Sequence, residues 1–349
     1  MTDTELNLQI VISENKPQNI IEWNKLAELC GNIWQADFTD EVQLNFNNRP
    51  WYFQCYSKEV LIAGVKIYYY ESKKLPAIIR SISSLATQGS EILFNESANF
   101  DLKQIIDALT QEFENWLAEK KTTAFYSYSF FGEPEKLLAL TRKKIIRQSN
   151  IAIAKIDLTK NTETLWQAIH PKHRSEIVKA EKNGVTIEFV NDIDSFFLLM
   201  DETYKNQSVH APNKKVIRKE YEILMANNSA QLVFAKHNGK YLCSALLYNY
   251  GKNSLYNFGG TFKNSIGAGQ FLHWEIIKYL KAKGFKNYLL GETALKKTES
   301  NLKFSDGITK FKLRFGAQQY NTHHMGYALK PTQEKMWNIL KKIFVKSQA

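Results

Sequence analysis

A short glycine-rich segment, Gly267-Ala268-Gly269, begins a run of residues with helical periodicity. The first turn of a helix has backbone N–H groups without partners inside the helix, and the helix dipole adds partial positive charge there. Because glycines leave these groups accessible, the segment is suited to bind an anion, above all a phosphate. A glycine-rich turn between two packed elements would explain the same residues without a ligand, so both interpretations stay open.

Two cations follow near the end of the chain, Lys312 and Arg314, within Phe311-Lys312-Leu313-Arg314-Phe315. The alternation of apolar and basic residues predicts a strand, with the apolar side chains toward the core and both cations on the other face. Two cations on one face could hold a charged ligand. They are equally compatible with two solvated side chains.

The elements that must position these residues are predicted by residues 255–290. An aromatic and apolar run up to Gly260 predicts a strand. Apolar residues at helical spacing between positions 271 and 280 predict a helix that ends at Gly284, and residues 288–290 predict the next buried strand. This strand–loop–helix–strand unit would present the start of the helix to an anionic ligand.

The same order of elements occurs twice along the chain: three strands, a long helix and a further strand. No residues repeat, only the order. The pattern predicts a mixed α/β fold with two tandem domains, residues 1–157 and 158–349. In the first half, the loop before the long helix contains Gly89 alone and two glutamates. We therefore expect the first domain to lack a phosphate site.

A third motif lies near the start of the second half: Arg174, followed by Lys179-Ala180-Glu181-Lys182-Asn183-Gly184-Val185. On physical grounds alone it is an exposed basic helix. In order with Gly267-x-Gly269 and Phe311-Lys312-x-x-Phe315-Gly316, it resembles the FemAB-like branch of the GNAT acyltransferase superfamily. That branch includes aminoacyltransferases that extend peptidoglycan stem peptides and acyltransferases encoded with polysaccharide genes. The resemblance covers residues 160–320 and implies two GNAT-like domains in tandem.

The resemblance also implies roles for individual residues. The donor would bind at Asn264, which replaces the usual Gln or Arg, and at Gly267, Ala268 and Gly269. Lys312 would hold donor phosphate or stabilise the oxyanion of the tetrahedral intermediate. Glu292 would orient or deprotonate the attacking amine. Four further residues are candidates for substrate binding: Arg174, Arg314, Tyr256 and Asn257.

These roles predict an N-acyltransferase whose donor is acyl-CoA or aminoacyl-tRNA and which needs no metal. The acceptor would be an amine on a nucleotide- or lipid-linked amino sugar or peptide. The long helical arm of some tRNA-using members has no counterpart here, which favours acyl-CoA. Residues 151–349 carry 30 Lys and Arg against 16 Asp and Glu, which favours tRNA. The alternative is a non-catalytic binding module for an anionic precursor or nucleic acid.

Other features of the sequence narrow the classes of protein further. Three widely spaced cysteines form neither a disulfide framework nor a zinc site, and no signal peptide is evident, so we expect a cytoplasmic protein. His170 and His173 lack a third ligand at metal spacing and are expected at the surface. Residues 332–346 predict an amphipathic helix that packs on its own domain or contacts an anionic membrane. The oligomeric state is not predicted.

Overall fold

A computed structural model of the chain describes residues 8–71, 84–97, 100–138, 140, 143–206, 211–262, 266–295 and 306–346. The described residues form two compact units, one from positions up to 151 together with those from 321 onward, the other from positions 152–320. The predicted division into domains at residue 157 stays a prediction. None of the described helices has the length and apolar character needed to cross a bilayer.

The strands are β1 (Leu8–Glu14), β2 (Asn48–Ser57), β3 (Val60–Tyr70), β4 (Leu85–Gln88), β5 (Leu93–Phe94), β6 (Ala124–Tyr128), β7 (Lys144–Asp157), β8 (Thr186–Phe189), β9 (Ala230–His237), β10 (Lys240–Tyr250), β11 (Asn253–Thr261), β12 (Asn287–Thr293) and β13 (Gln318–Ala328). The helices are α1 (Ile20–Cys30), α2 (Asp40–Leu44), α3 (Leu102–Glu119), α4 (Thr162–Ala168), α5 (Pro171–Lys182), α6 (Ile193–Asn206), α7 (Lys214–Ala226), α8 (Ala268–Ala282), α9 (Asp306–Leu313) and α10 (Pro331–Lys346). Short 3₁₀ helices span Ile33–Gln35, Asp37–Thr39 and Pro134–Lys136.

The first unit contains a mixed sheet with the strand order β1-β2-β3-β4-β6-β13, and β5 pairs with β3. Only the β4–β6 pair in this sequence of strands is parallel. The amphipathic helix α3 packs on the sheet through aromatic side chains, with the Phe53 and Phe113 ring centroids 5.5 Å apart. Edge-to-face contacts of this kind add to the stabilisation from buried apolar area.

Glu91, one of the two glutamates in the loop before α3, lies buried in the first unit with 2% of its surface exposed. Its carboxylate accepts hydrogen bonds from the backbone amides of Phe130 at 3.2 Å and Phe131 at 2.8 Å. The hydroxyls of Ser90 and Ser129 also donate to it, at 2.9 and 2.5 Å. The protein's own carboxylate thus occupies these amides. The expectation that this half has no phosphate site stays a prediction.

The second unit contains a sheet with the order β7-β12-β11-β10-β9-β8, in which residues 152–157 represent β7. The β11–β12 pair is parallel and the others are antiparallel. The hairpin between β9 and β10 turns at Asn238 and Gly239, with φ angles of 48° and 75°. Both left-handed values agree with the type I′ turn that an Asn-Gly pair favours.

The two faces of this sheet carry different helices. Alternate residues of β10, beginning at Cys243 and ending at Leu247, pack in one core with α4, α5 and α8. The alternating residues Ser244, Leu246 and Tyr248 point to the other face, because successive side chains of a strand alternate. That face carries α6 and α7, and the α6 backbone comes so close to β11 that only a glycine fits at position 260.

The structure corrects two predicted elements. The sequence favours a single helix over residues 165–183, but these residues form α4 and α5, because Pro171 begins a new helix and forces the preceding residue out of helical geometry. Residues 311–315, predicted as a strand, form the end of α9 and the turn after it. The sequence also favours a strand at residues 77–83 and a long loop, a candidate lid, at residues 293–306; these lie wholly or mostly outside the described residues.

The close contact at Gly260 allows the packing between β11 and α6 to be tested. A Cβ atom at this position would lie 2.5 Å from both the carbonyl carbon of Leu199 and the amide nitrogen of Met200. We expect Gly260→Ala to lower the free energy of unfolding by about 1–3 kcal/mol, because a backbone neighbour cannot move aside. Urea denaturation measures this. The control is Gly89→Ala, where a Cβ would meet no atom within 4 Å; equal loss in both variants would contradict the prediction.

Candidate functional site

The parallel strands β11 and β12 pair over only three residue pairs, from Asn253 with Asn287 to Leu255 with Leu289. Beyond them, the register of β12 against β7 shifts between Leu289 and Gly291, and the pairing with β7 then continues. The φ angle of Gly291 is 78°. The two strands therefore separate inside the sheet. We call this opening the fork. Within the described residues, its peptide groups do not pair with each other across it.

Lys312, at the end of α9, reaches into the fork. Its Nζ donates a hydrogen bond to the backbone carbonyl oxygen of Glu292 at 2.9 Å. A Cβ atom on Gly291 would lie 3.6 Å from the same Nζ and 3.8 Å from the carbonyl oxygen of Tyr256 on the opposite strand. The ammonium group thus lies where β11 and β12 part.

The environment of the fork changes the pKa of both ionisable groups. Burial lowers the pKa of Lys312 to about 8, although the nearby carboxyl of Glu292 partly offsets this effect. Burial also raises the pKa of Glu292, and Lys312 acts against that shift. Perturbed lysine and glutamate side chains in a cleft are typical of functional sites.

The start of α8 lies against α5 and α9. Gly267, before the helix, has φ 79°, and a Cβ there would lie 2.4 Å from the carbonyl oxygen of Glu176 on α5. At Gly269 a Cβ would meet only the Phe311 ring, at 4.0 Å. The first bond of the helix runs from the Phe271 amide to the Gly267 carbonyl, at 3.0 Å. Within the described residues, the amides of positions 268–270 donate no hydrogen bond, as helix geometry requires.

Comparisons with known proteins identify the fold. Residues 171–297 match the family model for the acetyltransferase (GNAT) domain. The structure is similar to that of FemX, with a TM-score of 0.73 and 14% sequence identity, covering 93% of this chain and 99% of the other. The chain has the fold of the FemAB-like GNAT branch.

Two further solved structures are similar in fold to this chain. One is L-PGS from Bacillus licheniformis, with a TM-score of 0.55, 14% identity and coverage of 93% of this chain and 97% of the other. The second is a tandem GNAT protein from the clavulanic acid biosynthesis pathway, solved without AcCoA, with a TM-score of 0.52, 10% identity and coverage of 92% and 98%. No curated protein matches the chain in sequence. The predicted mixed α/β class with tandem GNAT-like domains is confirmed.

The helices α5, α8 and α9 are joined by a buried cluster of histidine and phenylalanine rings. His173 lies 4.8 Å from Phe315 between ring centroids, and its Nε2 donates to the Phe311 carbonyl oxygen at 3.1 Å. His273 lies 5.5 Å from Phe311 and hydrogen-bonds Tyr288 through Nδ1 at 2.9 Å. The prediction that His173 lies at the surface is wrong, since 3% of it is exposed.

Both histidines of this cluster are neutral. Burial lowers the pKa of His173, and burial together with the charge of Lys312 lowers the pKa of His273 to about 3. Neutral rings pack with the phenylalanines and add no positive charge beside Lys312. Sequence reasoning missed His273, although its position among the buried residues of α8 could have drawn attention to it.

The other predicted residues occupy different surroundings. Asn264 lies outside the described residues. Arg174 hydrogen-bonds the Gln167 side chain at 2.8 Å, and no described contact joins it to Lys312 or to the glycine segment. The prediction that Arg314 shares a face with Lys312 is wrong, because residues two apart at the end of a helix point in nearly opposite directions.

Tyr256 and Asn257 lie on β11 beside the fork and face opposite ways. The Tyr256 ring meets His273 edge to face at 4.8 Å, and its hydroxyl lies where a Cβ on Gly259 would be. The β10–β11 register shifts between Leu246 and Leu247, which makes Asn257 the extra residue of a bulge. Its side chain turns to the Tyr248 hydroxyl on the other face of the sheet.

The lowered pKa of Lys312 gives a test of the site through stability. The folded-state value of about 8 lies below the ordinary value of 10.5, so the unfolded chain binds the proton more tightly between these pH values. Lys312 therefore costs stability below pH 8, and this cost disappears as the pH rises toward 10.5. We expect Lys312→Met to raise the free energy of unfolding at pH 7 by about 1–2 kcal/mol.

Urea denaturation at pH 7 and pH 10 measures this difference, which should shrink at the higher pH. The matched control is Lys310→Met, since Lys310 is an exposed lysine on the same helix. A Lys312→Met variant that is less stable than the wild type at both pH values would contradict the assigned burial penalty.

Proposed function

We propose that this protein is an N-acyltransferase of the FemAB-like type. It moves an acyl or aminoacyl group from acyl-CoA or aminoacyl-tRNA to an amine on a nucleotide- or lipid-linked envelope or polysaccharide precursor. The observation that carries the proposal is the placement of Lys312 in the fork beside the start of α8. Phe311, the residue before Lys312, lies 4.0 Å from the Cβ position of Gly269, which supports a single site that includes the start of α8 and the lysine.

In this proposal the start of α8 binds a phosphate of the donor. The amides of residues 268–270 point out of the helix with the positive end of its dipole, and Gly269 leaves space for the ligand. The acyl carbonyl then lies in the fork. The aminoacyl ester of tRNA lies on a terminal nucleotide that carries a phosphate, whereas the extended pantetheine arm of acyl-CoA joins its pyrophosphate to the thioester. The helix start can bind the phosphate of either donor.

Lys312 stabilises the charge that develops on the acyl carbonyl oxygen. With a pKa of about 8 it remains mostly protonated at pH 7. The amine nitrogen attacks the carbonyl carbon, the C–N bond forms, and the negative oxygen of the intermediate meets the ammonium group. The carbonyl re-forms as the bond to the CoA sulfur or the tRNA oxygen breaks, and the leaving group takes a proton from nitrogen. Glu292, whose pKa burial raises, orients the amine or accepts its first proton.

The choice between donors rests on further features. The excess of Lys and Arg after residue 150 supports a tRNA, while the similarity to a tandem GNAT protein solved without AcCoA supports acyl-CoA. An envelope precursor as acceptor is supported by the similarity to FemX. We further propose a cytoplasmic location, with contact of α10 to an anionic membrane as one route to a lipid-linked acceptor.

The donor site is tested at Gly269, where a side chain fits without a clash. We expect Gly269→Asp to weaken donor binding at least about tenfold, because a carboxylate in the first turn competes with phosphate for the amides. The neutral variant Gly269→Asn is the matched control and should bind more tightly than the Asp variant.

Isothermal titration of each Gly269 variant with coenzyme A, and separately with an RNA acceptor-stem minihelix, measures the effect and identifies the donor. Unchanged affinity of the Asp variant for both probes would place the donor elsewhere. Binding of RNA by both variants without turnover by the wild type would indicate a binding module.

The role of Lys312 is tested by turnover. The wild type is incubated with labelled acetyl-CoA or charged tRNA and with UDP-glucosamine as a probe amine. We expect Lys312→Met to lower kcat by about 10²–10³, the usual cost of removing an oxyanion contact, with KM little changed. Lys310→Met should retain wild-type kcat. A Lys312→Met variant with full kcat would exclude the oxyanion role.

A further inference from the structure

The end of β12 has no strand beside it on the β11 side, within the described residues. The β11–β12 ladder ends at Leu289, while the pairing of β12 with β7 continues to Thr293. Residues two apart in an extended chain direct their backbone groups to the same edge, so Glu292 and Ala294 share one edge and Thr293 faces the other. An edge without a neighbouring strand needs other partners for its amides and carbonyls.

The helix α9 supplies two of these partners. Thr309 Oγ1 accepts a hydrogen bond from the Ala294 amide at 3.2 Å, and Lys312 Nζ donates to the Glu292 carbonyl oxygen at 2.9 Å. Thr309 and Lys312 are three positions apart, so they lie on one face of the helix. That face therefore binds the edge of β12 at two points, one accepting and one donating, as a neighbouring strand does.

A third partner comes from β13. The side-chain amide of Gln319 donates to the Ala294 carbonyl oxygen at 3.2 Å and to Thr293 Oγ1 at 3.0 Å. Thr293 is fully buried, and its hydroxyl donates in turn to the Ala152 carbonyl oxygen of β7 at 3.1 Å. A chain of hydrogen bonds thus joins β7, the end of β12 and β13, and it fixes the backbone to which Lys312 is bound.

We propose that Thr309 and Gln319 are positioning residues for Lys312 in acyl transfer. This inference rests on the proposed function and deepens it. The two side chains hold the end of β12 in place, so the Glu292 carbonyl oxygen holds one hydrogen of the Lys312 ammonium group in a fixed direction. The two remaining hydrogens then have defined directions, and one of them meets the oxyanion as it forms. Thr309 and Gln319 act through the backbone and not by contact with the acyl group.

The flexibility of lysine explains why its acceptor must be fixed. The ammonium group of a lysine lies at the end of a flexible four-carbon chain. Among the described residues, the hydrogen bond of Lys312 is to the Glu292 carbonyl oxygen, so the direction of the ammonium group depends on where that oxygen lies. An oxyanion contact lowers the barrier only when its donor is already aligned. A misplacement of about 1 Å can lower a rate by about 10²-fold.

The first test separates kcat from KM for transfer from labelled acetyl-CoA or charged tRNA to UDP-glucosamine. Thr309→Val keeps the shape of the side chain and removes the acceptor for the Ala294 amide, and Gln319→Leu removes the side-chain amide. We expect each to lower kcat by about tenfold or more with KM within about twofold of the wild type, because the oxyanion contact is misaligned while substrate contacts remain. Thr309→Ser, which keeps the hydroxyl, and Gln318→Leu, at the exposed neighbouring position, should retain wild-type kcat.

The second test does not depend on turnover. In protein labelled with ¹⁵N at the lysine side-chain nitrogen, the Lys312 signal is identified by its absence from Lys312→Met. Its titration midpoint should lie at about 8 in the wild type and should rise in Thr309→Val and Gln319→Leu, because release of the strand end admits water and weakens the effect of burial. Glu292 and His273, the titratable groups that interact with Lys312, are unchanged in these variants. Thr309→Ser should keep the wild-type midpoint, and urea denaturation checks that each variant is folded.

The outcomes separate the positioning role from acyl transfer itself. Wild-type kcat in Thr309→Val and Gln319→Leu, or a Lys312 midpoint that neither variant moves, overturns the positioning role. Equal loss of kcat in Thr309→Val and Thr309→Ser also overturns it, since the hydroxyl is then not the group that matters. A wild type that transfers from neither donor overturns the proposed function, and the midpoints alone then decide whether the two side chains position the ammonium group. Lower kcat at unchanged KM, together with a raised midpoint, supports both.

Discussion

The separation of β11 from β12 is the constraint on which the site depends. Parallel strands in the middle of a sheet normally continue their ladder, since an unpaired peptide group inside a protein costs free energy. Here the ladder ends after Leu255 and Leu289, and Gly291 takes a left-handed backbone angle that β-branched or bulky residues avoid. The ammonium group of Lys312 compensates part of this cost by binding the carbonyl oxygen of Glu292.

The position of Lys312 depends in turn on how three helices pack. Gly267 allows the start of α8 to touch the α5 backbone, and the two histidines bind the phenylalanine rings of α9 from α5 and α8. These contacts fix the last turn of α9, from which the lysine extends. The histidines can serve in this cluster only while neutral, because an imidazolium beside Lys312 would repel it. Burial keeps them neutral, so the apolar packing and the electrostatics of the site support each other.

Local patterns in the sequence predicted the elements that are determined locally. The helix at residues 268–282, the strand before it and the Asn238-Gly239 turn all follow from periodicity and backbone preference. Lys312 was selected as a candidate from the sequence, but it was assigned to a strand and lies at the end of α9. Phenylalanines four positions apart fit one face of a helix as well as one face of a strand. The fork could not be predicted, since it arises when β12 shifts toward β7, a strand more than a hundred residues earlier.

A comparison of buried charges within the two units explains why the second is the better candidate for chemistry. In the first unit, Lys66 is 1% exposed, yet its Nζ meets Asp40 at 2.6 Å, the Ala36 carbonyl at 2.7 Å and the Thr39 hydroxyl at 2.9 Å. Glu91 likewise accepts four hydrogen bonds. These groups have their full complement of partners and are expected to be structural.

The buried lysine of the second unit has fewer partners. Within the described residues, Lys312 donates to one carbonyl although an ammonium group has three hydrogens. Such a group costs stability in the free protein, and the carbonyl oxygen of a bound substrate would supply a further partner. The same burial with few partners lowers the pKa of Lys312 to about 8, close to neutrality. The free-energy cost of this lysine and the role that we propose for it in acyl transfer therefore have a single physical origin.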